Sequence, residues 1–572
     1  MAREITTVGV VGLGTMGAGI VEVFARGGLT VIGVESSQEF AERGRSILQA
    51  STDRAVAKGK LDEAGQADIL GRISITTEYA DLAPVDLVVE AVPEIMSLKH
   101  EVIGKLEAVL ADDAIVATNT SSLSITEIAA PAKVPGRVIG MHFFNPAPIL
   151  KLVEIITTPM TAPDTTETVR TLSESLGKKP VVIGDRAGFV ANYLLYGYFS
   201  AALAMYESGH VSREDLDTAV RVGIGLPMGP LTLGDLVGLD VLHHISDVIY
   251  GHSRSPHHAP STMLERMVLA GRLGRKSGQG FYTFAKPGSG QLVDDERTPE
   301  VTAGREISSV AVIGAGALAE ELAGRFTEGG YAVTHLTDPA ADLSGLAEVG
   351  LVVEAQDEDA PGEGAQGEVA QAEGARGEGT GELRDVDELF AELGEVTAPG
   401  TILATANTYS AVALAAISGR PEDTVVLSVH APTPNGQVIE AGRTIKTSQE
   451  TIATVRAVIK AIGAEPVVCK DRTGLVVDAL LVTHLNDCVK MLDEGYASAE
   501  DIDTALQFGL GYPSGPFAMI DKLGADEVLA VAEELYSGTA GFQTHLAPSP
   551  LLVEHVLLDE PFLSGQARPD GQ

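Results

Sequence analysis

Residues 5–20 read Ile5-Thr6-Thr7-Val8-Gly9-Val10-Val11-Gly12-Leu13-Gly14-Thr15-Met16-Gly17-Ala18-Gly19-Ile20. The apolar run through Val11 has the character of a buried strand, and a helical pattern follows the glycines to about Arg26. Glycines spaced G-x-G-x-x-G between a strand and a helix make a turn on which a pyrophosphate can lie. Gly12 permits the tight bend, Gly14 keeps the backbone approachable, and Gly17 lets the helix pack close to the strand. The same spacing without a ligand is a plain glycine-rich turn, so context matters. A second strand, Thr30 to Val34, ends on Glu35, an acid placed to accept hydrogen bonds from a ribose. A carboxylate there repels a 2'-phosphate, and Ser36 and Ser37 bring no cation. The expected cofactor is therefore NAD, held by Gly12, Leu13, Gly14, Thr15, Met16, Gly17 and Glu35, with NADP as the alternative.

Outward from this turn the pattern continues as a Rossmann-like unit. Asp86 to Glu90 reads as a buried strand with the exit loop Ala91-Val92-Pro93-Glu94, and a helix carrying Lys99 follows. Ala114 to Thr118 is another strand, ending in Asn119-Thr120-Ser121-Ser122, whose polar residues point into the crevice at the carboxyl ends of the strands. Ser121 competes with Ser122 and Ser124 for the role of helix N-cap before Ile125, and if either of these caps, Ser121 is free for chemistry. Between Ser37 and Arg72 a helical stretch carries Arg43, Arg45, Arg54, Lys58 and Lys60. It reads either as a solvated face or as a basic hairpin that meets the phosphates of a large anionic substrate such as a coenzyme A ester.

His142 ends the apolar strand Arg137 to Met141, and Glu154 lies twelve residues on, in the strand-like run Lys151 to Ile156. Two neighbouring strands can bring imidazole and carboxylate together as an oriented general base. The alternative is a core histidine and a surface glutamate.

Residues 186–286 read as all-helical, with Ser212 capping one helix. His243, His244, His252, His257 and His258 lack partners in ligand spacing and are read as surface or helix-end residues, with no metal site. After a polar linker at 287–304 the whole pattern restarts. Gly314-Ala315-Gly316-Ala317-Leu318-Ala319 repeats the first turn, Leu351 to Ala355 the strand at Leu87 to Ala91, and Asn407-Thr408-Tyr409-Ser410 the serine loop. Asp501 to Ala505 repeats Asp215 to Ala219. The copy differs where chemistry would be needed. Glu35 becomes Thr337, although Asp338 follows, Ser121 becomes Tyr409, Asn192 becomes Asp478, and the basic hairpin is gone. His430 and Glu440 retain the pair, two residues closer together.

The expected organisation is thus α/β plus all-α, each pair occurring twice. The limits are 1–185 (NAD-binding), 186–286 (helical), 287–304 (linker), 305–471 (a degenerate Rossmann-like copy with an acidic low-complexity insert at about 356–381, read as disordered) and 472–572 (second helical domain). A charge of -39 over 572 residues excludes nucleic acid or an anionic membrane as partner. Two cysteines, Cys469 and Cys488, make neither a disulfide framework nor a zinc site. The apolar start at Ile5 has no leader-like character and no run is long enough to span a bilayer, so the expected location is the cytoplasm.

Taken together, GLGTMGAGI (12–20), VVEAVPE (88–94), ATNTSSLSI (117–125), GMHFFNPAPILKLVEI (140–155), GFVANYLL (188–195) and GRKSGQGFY (274–282) resemble the L-3-hydroxyacyl-CoA dehydrogenases, including the 3-hydroxybutyryl-CoA dehydrogenases, in order and spacing. The resemblance implies reversible, NAD-dependent oxidation of a 3-hydroxyacyl-CoA. In that family's pattern His142 is the general base and Glu154 its partner, Ser121 bonds the substrate hydroxyl and Asn192 lies near the reacting centre. Glu94, Lys99, Ser121, Asn145 and Lys276 fall on cofactor positions, and Arg54 and Lys58, with Ser51 as a weaker candidate, on coenzyme A positions. The helical domains of the family pair two subunits. A fused duplicate could supply that pairing within one chain as an intramolecular pseudo-dimer, with further homo-oligomers open. A hydroxy-acid dehydrogenase acting without coenzyme A, and a nucleotide-binding scaffold without activity, are the competing readings.

Overall fold

The computed structural model describes residues 3–300, 302–338, 340–356, 384–540 and 543–563. The first sheet contains β1 (Thr7–Val11), β2 (Thr30–Val34), β3 (Ile73–Thr76), β4 (Leu87–Glu90), β5 (Ile115–Thr118), β6 (Val138–Phe143), β7 (Leu152–Thr157) and β8 (Lys179–Gly184). Their order is β3-β2-β1-β4-β5-β6-β7-β8. Every pair is parallel except β6 with β7. Strands as apolar as Leu87-Val88-Val89 need cover on both faces, and two apolar clusters supply it. The helices between the strands are α1 (Thr15–Arg26), α2 (Gln38–Ala57), α3 (Glu63–Gly71), α4 (Met96–Glu107), α5 (Ile125–Ala129) and α6 (Pro163–Ser175). The expected basic hairpin is α2 and α3. The strand order reverses between β1 and β4, which places a crevice at the carboxyl ends of these strands.

A helical region follows, with α7 (Ala191–Glu207), α8 (Arg213–Thr218), α9 (Pro230–Val237), α10 (Leu239–Ser253) and α11 (Thr262–Leu269). Ser212 caps α8 by accepting from the Asp215 N–H, as its sequence implies. A small antiparallel pair, β9 (Thr283–Phe284) with β10 (Leu292–Val293), leads out of it.

The second sheet has seven strands, β11 (Ser309–Ile313), β12 (Ala332–Leu336), β13 (Leu351–Glu354), β14 (Ile402–Thr405), β15 (Thr424–Val429), β16 (Val438–Arg443) and β17 (Glu465–Lys470). It repeats the first order and the single antiparallel pair, now β15 with β16, and among the described residues has no counterpart of α2, α3 or β3. Its helices are α12 (Ala317–Glu328), α13 (Val386–Val396), α14 (Ala411–Ile417) and α15 (Gln449–Ala461). The second helical region comprises α16 (Val477–Asp493), α17 (Ala499–Leu510), α18 (Pro516–Leu523), α19 (Ala525–Ser537) and α20 (Pro550–Leu558). The acidic tract expected at about 356–381 lies, from 357 onward, outside the described residues.

The two halves interlock. Helix α7 packs along α16, α17 covers β7 and β8 of the first sheet, and α8 covers β17 of the second. One apolar core runs through both helical regions without a break. Across the junction Arg456 pairs with Asp215 at 2.5 Å, Arg186 with Glu494 at 2.7 Å and His257 with Asp487 at 2.8 Å. This corrects the surface reading of two histidines: His257 and His258 are buried. A short helical turn, Pro256 to His258, carries them into the junction, where the His257 ring stacks on His545. Periodicity within one half carries no sign of a partner surface supplied by the other. Among the described residues, no helix is long and apolar enough to cross a membrane.

Candidate active site

His142 and Glu154 face each other directly across the antiparallel β6–β7 pair, so backbone register alone brings the side chains together. The His142 Nδ1 and Glu154 Oε2 atoms are 2.7 Å apart. Glu154 is no surface residue: it is fully buried, and its Oε1 accepts from the Val190 and Ala191 amides at 3.1 and 3.0 Å. These amides lead into α7, where the helix dipole favours a negative charge. Both carboxylate oxygens are thus committed, one to the helix and one to the imidazole. Phe144 and Phe189 flank the ring, with centroids 4.5 and 5.5 Å from it. Nδ1 is occupied, which leaves Nε2 to exchange a proton.

The neighbouring strand ends supply the polar groups. Glu94 accepts at Oε1 from the Ser121 N–H at 2.7 Å, the Ser121 hydroxyl at 3.2 Å and the Thr120 hydroxyl at 2.9 Å. Its Oε2 is buried without a hydrogen-bond partner among the described residues, with the Lys99 ammonium 3.5 Å away. Lys99 is itself fully buried and held by both oxygens of Glu90 at 2.9 Å. The structure therefore places Lys99 behind Glu94. Ser124 caps α5, so Ser121 is free of that duty. Asn119 accepts from the Phe143 N–H at 2.8 Å and ties the β5 exit loop to the histidine strand. Asn192 follows Ala191 on the first turn of α7, beside the pair. Asn145 lies three residues past His142 in the β6–β7 loop.

At the glycine turn, a Cβ on Gly14 would meet nothing within 4 Å. Gly12 has φ +90°, and a Cβ on Gly17 would stand 1.7 Å from the Gly12 carbonyl oxygen. The first turn of α1 has neither a side-chain cap nor an acid. Glu35 accepts from the Leu13 N–H at 2.5 Å, which sets it against the turn; Thr15 and Met16 open the helix. Arg54 and Lys58 are exposed at the end of α2, with half-buried Ser51 one turn earlier, and among the described residues neither cation has an ion pair. Lys276 has its ammonium paired with Asp240 at 2.5 Å. Glu90 escaped the sequence reading, although an acid closing the run Leu87-Val88-Val89 is the kind of residue that marks a buried ion pair.

The second half departs from this arrangement more than its sequence indicates. Ser428, not His430, faces Glu440 across β15 and β16. The connection is as long as in the first half, and His430 occupies the place of Phe144, as the shared Pro-x-Pro at Pro146/Pro148 and Pro432/Pro434 indicates. Its imidazole reaches back to Glu440 through Nε2 at 2.7 Å, with Nδ1 3.8 Å from Asp478. The apparent two-residue shortening is thus a histidine displaced by two positions. Ala319 stands where Gly17 does, and the turn is re-routed, with φ 143° at Gly314 and 118° at Gly316. Glu320 lies in the first turn of α12, where a phosphate would be repelled, and His335 fills the place of Gly33, its Nε2 3.0 Å from the Gly314 carbonyl oxygen.

Residues 7–186 and 381–472 match the NAD binding domain of 3-hydroxyacyl-CoA dehydrogenase, and residues 188–284 and 474–563 match its C-terminal domain. A 3-hydroxybutyryl-CoA dehydrogenase of Mycobacterium tuberculosis is 46% identical over 288 residues, which is 50% of this chain and 100% of that protein. The 3-hydroxyadipyl-CoA dehydrogenase of Escherichia coli K12 is 30% identical over 565 residues, 99% of this chain and 100% of that one. A crystal structure of 3-hydroxybutyryl-CoA dehydrogenase from Escherichia coli K12 superposes with a TM-score of 0.71 at 29% identity, covering 97% of this chain and 99% of that chain. The chain belongs to the 3-hydroxyacyl-CoA dehydrogenase family, with both family domains present twice.

Proposed function

We propose that the first half oxidises a 3-hydroxyacyl-CoA to the 3-oxoacyl-CoA, reversibly and with NAD, and that the second half keeps the fold without the chemistry. The observation that carries this reading is the His142–Glu154 pair, anchored on two helix amides at the same sheet edge as the glycine turn. The turn fits a dinucleotide: Gly14 leaves room for a pyrophosphate, and the α1 N-terminus has free donors to meet it. Glu35 suits ribose hydroxyls and opposes a 2'-phosphate, which favours NAD over NADP. NAD held by the glycine turn and Glu35 would supply the hydride acceptor for the substrate C3.

The protein's own groups handle the proton. Glu154 accepts from Nδ1–H and so keeps Nε2 of His142 unprotonated, ready to take the hydroxyl proton; it then stabilises the imidazolium. Ser121 orients the hydroxyl, and Asn192 the group beside it. Glu94 and Asn145 line the cofactor side, with Lys99 balancing the Glu94 charge from behind. Arg54 and Lys58 offer cations to coenzyme A phosphates and favour the thioester over a free acid. Lys276 would have to leave Asp240 to serve the cofactor.

The test is the NADH-dependent reduction of acetoacetyl-CoA beside 3-oxoadipyl-CoA and free acetoacetate, each repeated with NADPH. The adipyl ester is included because the full-length Escherichia coli relative is a 3-hydroxyadipyl-CoA dehydrogenase. Turnover of both esters with NADH only, and one NADH bound per chain, is the expected result. Reduction of acetoacetate alone would overturn the thioester assignment.

A further inference from the structure

Lys178 precedes β8, outside every motif assigned to the site, yet it bears on the loop that follows His142. Its ammonium donates to the Ala147 carbonyl at 2.5 Å and to the Leu150 carbonyl at 2.8 Å. The side chain is buried, 8% exposed, and has no ion pair among the described residues. Burial alone pushes its ammonium down to about 8. A buried cation held only by carbonyls is costly compared with an apolar side chain of the same length.

The loop that it holds, residues 144–151, joins β6 to β7. At its start Phe144 lies against His142. At its middle Ala147 is buried on α1: a Cβ on Gly19 would come 3.2 Å from the Ala147 Cβ and 3.4 Å from the Pro148 Cδ. The Ile149 and Leu150 amides both donate to the Pro146 carbonyl, at 2.9 and 3.0 Å, so they satisfy neither of the carbonyls that Lys178 takes. The loop thus connects the histidine to the helix of the glycine turn, and Lys178 closes it from behind.

The second half provides a natural comparison. Strand register puts Ala464 in the place of Lys178, Thr433 in that of Ala147 and Gly436 in that of Leu150. There the two corresponding carbonyls are satisfied within the loop. The Gly436 N–H donates to the Thr433 carbonyl at 3.1 Å, and the Thr433 N–H to the Gly436 carbonyl at 2.8 Å. A loop of equal length therefore has two forms in this one chain, a self-paired form without a lysine and an open form with one. Only the open form puts a phenylalanine on a histidine that faces its glutamate.

We propose that Lys178 is a positioning residue for the reaction: by taking the Ala147 and Leu150 carbonyls it selects the open loop that seats Phe144 on His142 and Ala147 on α1. This rests on the reading of His142 as the base and of α1 as the dinucleotide helix. The loop spans both, so losing the lysine disturbs cofactor affinity and turnover together and leaves the coenzyme A contacts on α2 alone.

The test uses the full chain with Lys178→Met, which keeps the stem and loses the donors, and Lys178→Arg, which keeps donors and charge. NADH affinity is followed by fluorescence, beside kcat and KM for acetoacetyl-CoA and the melting temperature. Lys178→Met is expected to raise the NADH Kd about tenfold and to lower kcat by a similar factor, with the acetoacetyl-CoA KM within about threefold. Lys178→Arg is expected to hold all three within about threefold of the parent. A wild-type NADH Kd in Lys178→Met overturns the proposal, as does a fall in kcat with both Kd and KM unchanged, which would mean only a smaller folded fraction. If Lys178→Met does not fold, the double variant Lys178→Ala with Leu150→Gly copies the residues with which the second sheet already folds. It is expected to lose NADH affinity about tenfold, and unchanged affinity there overturns the proposal equally. Failure of the parent chain to reduce acetoacetyl-CoA would instead strike the functional reading, independently of either variant.

Discussion

Exchanging Glu154 for glutamine isolates the proton chemistry from the fold. In the parent, Oε1 accepts from the Val190 and Ala191 amides while Oε2 faces His142 Nδ1. The amide of Glu154→Gln has one oxygen and one NH2 group. Turning the NH2 toward two backbone N–H groups would leave donors facing donors in a buried site, at about 1–3 kcal/mol for each unsatisfied group. The oxygen therefore stays on the helix and the NH2 group faces Nδ1. Nδ1 must then accept, the proton moves to Nε2, and the ring can no longer take a proton from substrate. In the Ser-His-Asp hydrolases the corresponding exchange, which also imposes the wrong tautomer, lowers kcat by about 10⁴. A fall of ~10³–10⁴ in kcat, or ~4–5.5 kcal/mol of transition-state stabilisation, is expected here. Loss of NADH absorbance with saturating acetoacetyl-CoA measures it. The NADH Kd and the melting temperature should stay close to the parent, because the helix amides keep their acceptor. A Glu154→Gln protein with kcat within about threefold of the parent would refute the tautomer argument.

Three further outcomes follow from the geometry. Gly17→Ala puts a Cβ 1.7 Å from the Gly12 carbonyl oxygen and should force the turn toward the form seen at Gly314 to Gly316; a rise of roughly thirtyfold in the NADH Kd, read by fluorescence titration, is expected. Reversing Arg54 and Lys58 to glutamate should raise the acetoacetyl-CoA KM about fivefold or more at low salt, fading as salt is added, with the NADH KM unmoved. Burial lowers His484 from 6.5 to about 4, with the His257 and Asp487 charges acting in opposite senses and Tyr512 against its ring. A lowered histidine is neutral in the folded chain, so its contribution is complete above pH 6.5 and is lost as pH falls toward 4, on the order of 3 kcal/mol. Asp235 and Asp503, raised by burial to about 6, oppose this by binding protons in the folded state, but they do so in parent and variant alike. Denaturant melts from pH 7 to 4 should therefore show a shallower loss of stability for His484→Gln than for the parent; parallel curves would contradict the burial argument.

The candidate site was legible where chemistry forces local pattern. A strand, a glycine turn, a helix and a strand closing on Glu35 need neighbours in sequence, and the structure keeps α1 and β2 at the expected limits. The His142–Glu154 pair was legible as a possibility only, since twelve residues of spacing do not state whether two strands run antiparallel or in which register. The fate of the second pair shows the difference. From sequence His430 looked like the surviving histidine; register gives that place to Ser428. The Pro-x-Pro repeat carried the correct alignment, but a matching histidine drew attention away from it.

What no local pattern carries is the use made of distant groups. Local propensity, hydrophobic period and turn chemistry act between residues a few positions apart, and they suffice for two Rossmann-like sheets, two helical regions and the decay of the second nucleotide turn. Burial and hydrogen-bond satisfaction act between residues that only folding brings together. Those forces commit Glu154 to the α7 amides, set Lys99 behind Glu94, carry His257 into the junction between halves and bring Lys178 under the loop that follows His142. A buried polar group must find its partner wherever the chain has placed one, and tertiary packing alone determines which partner that is.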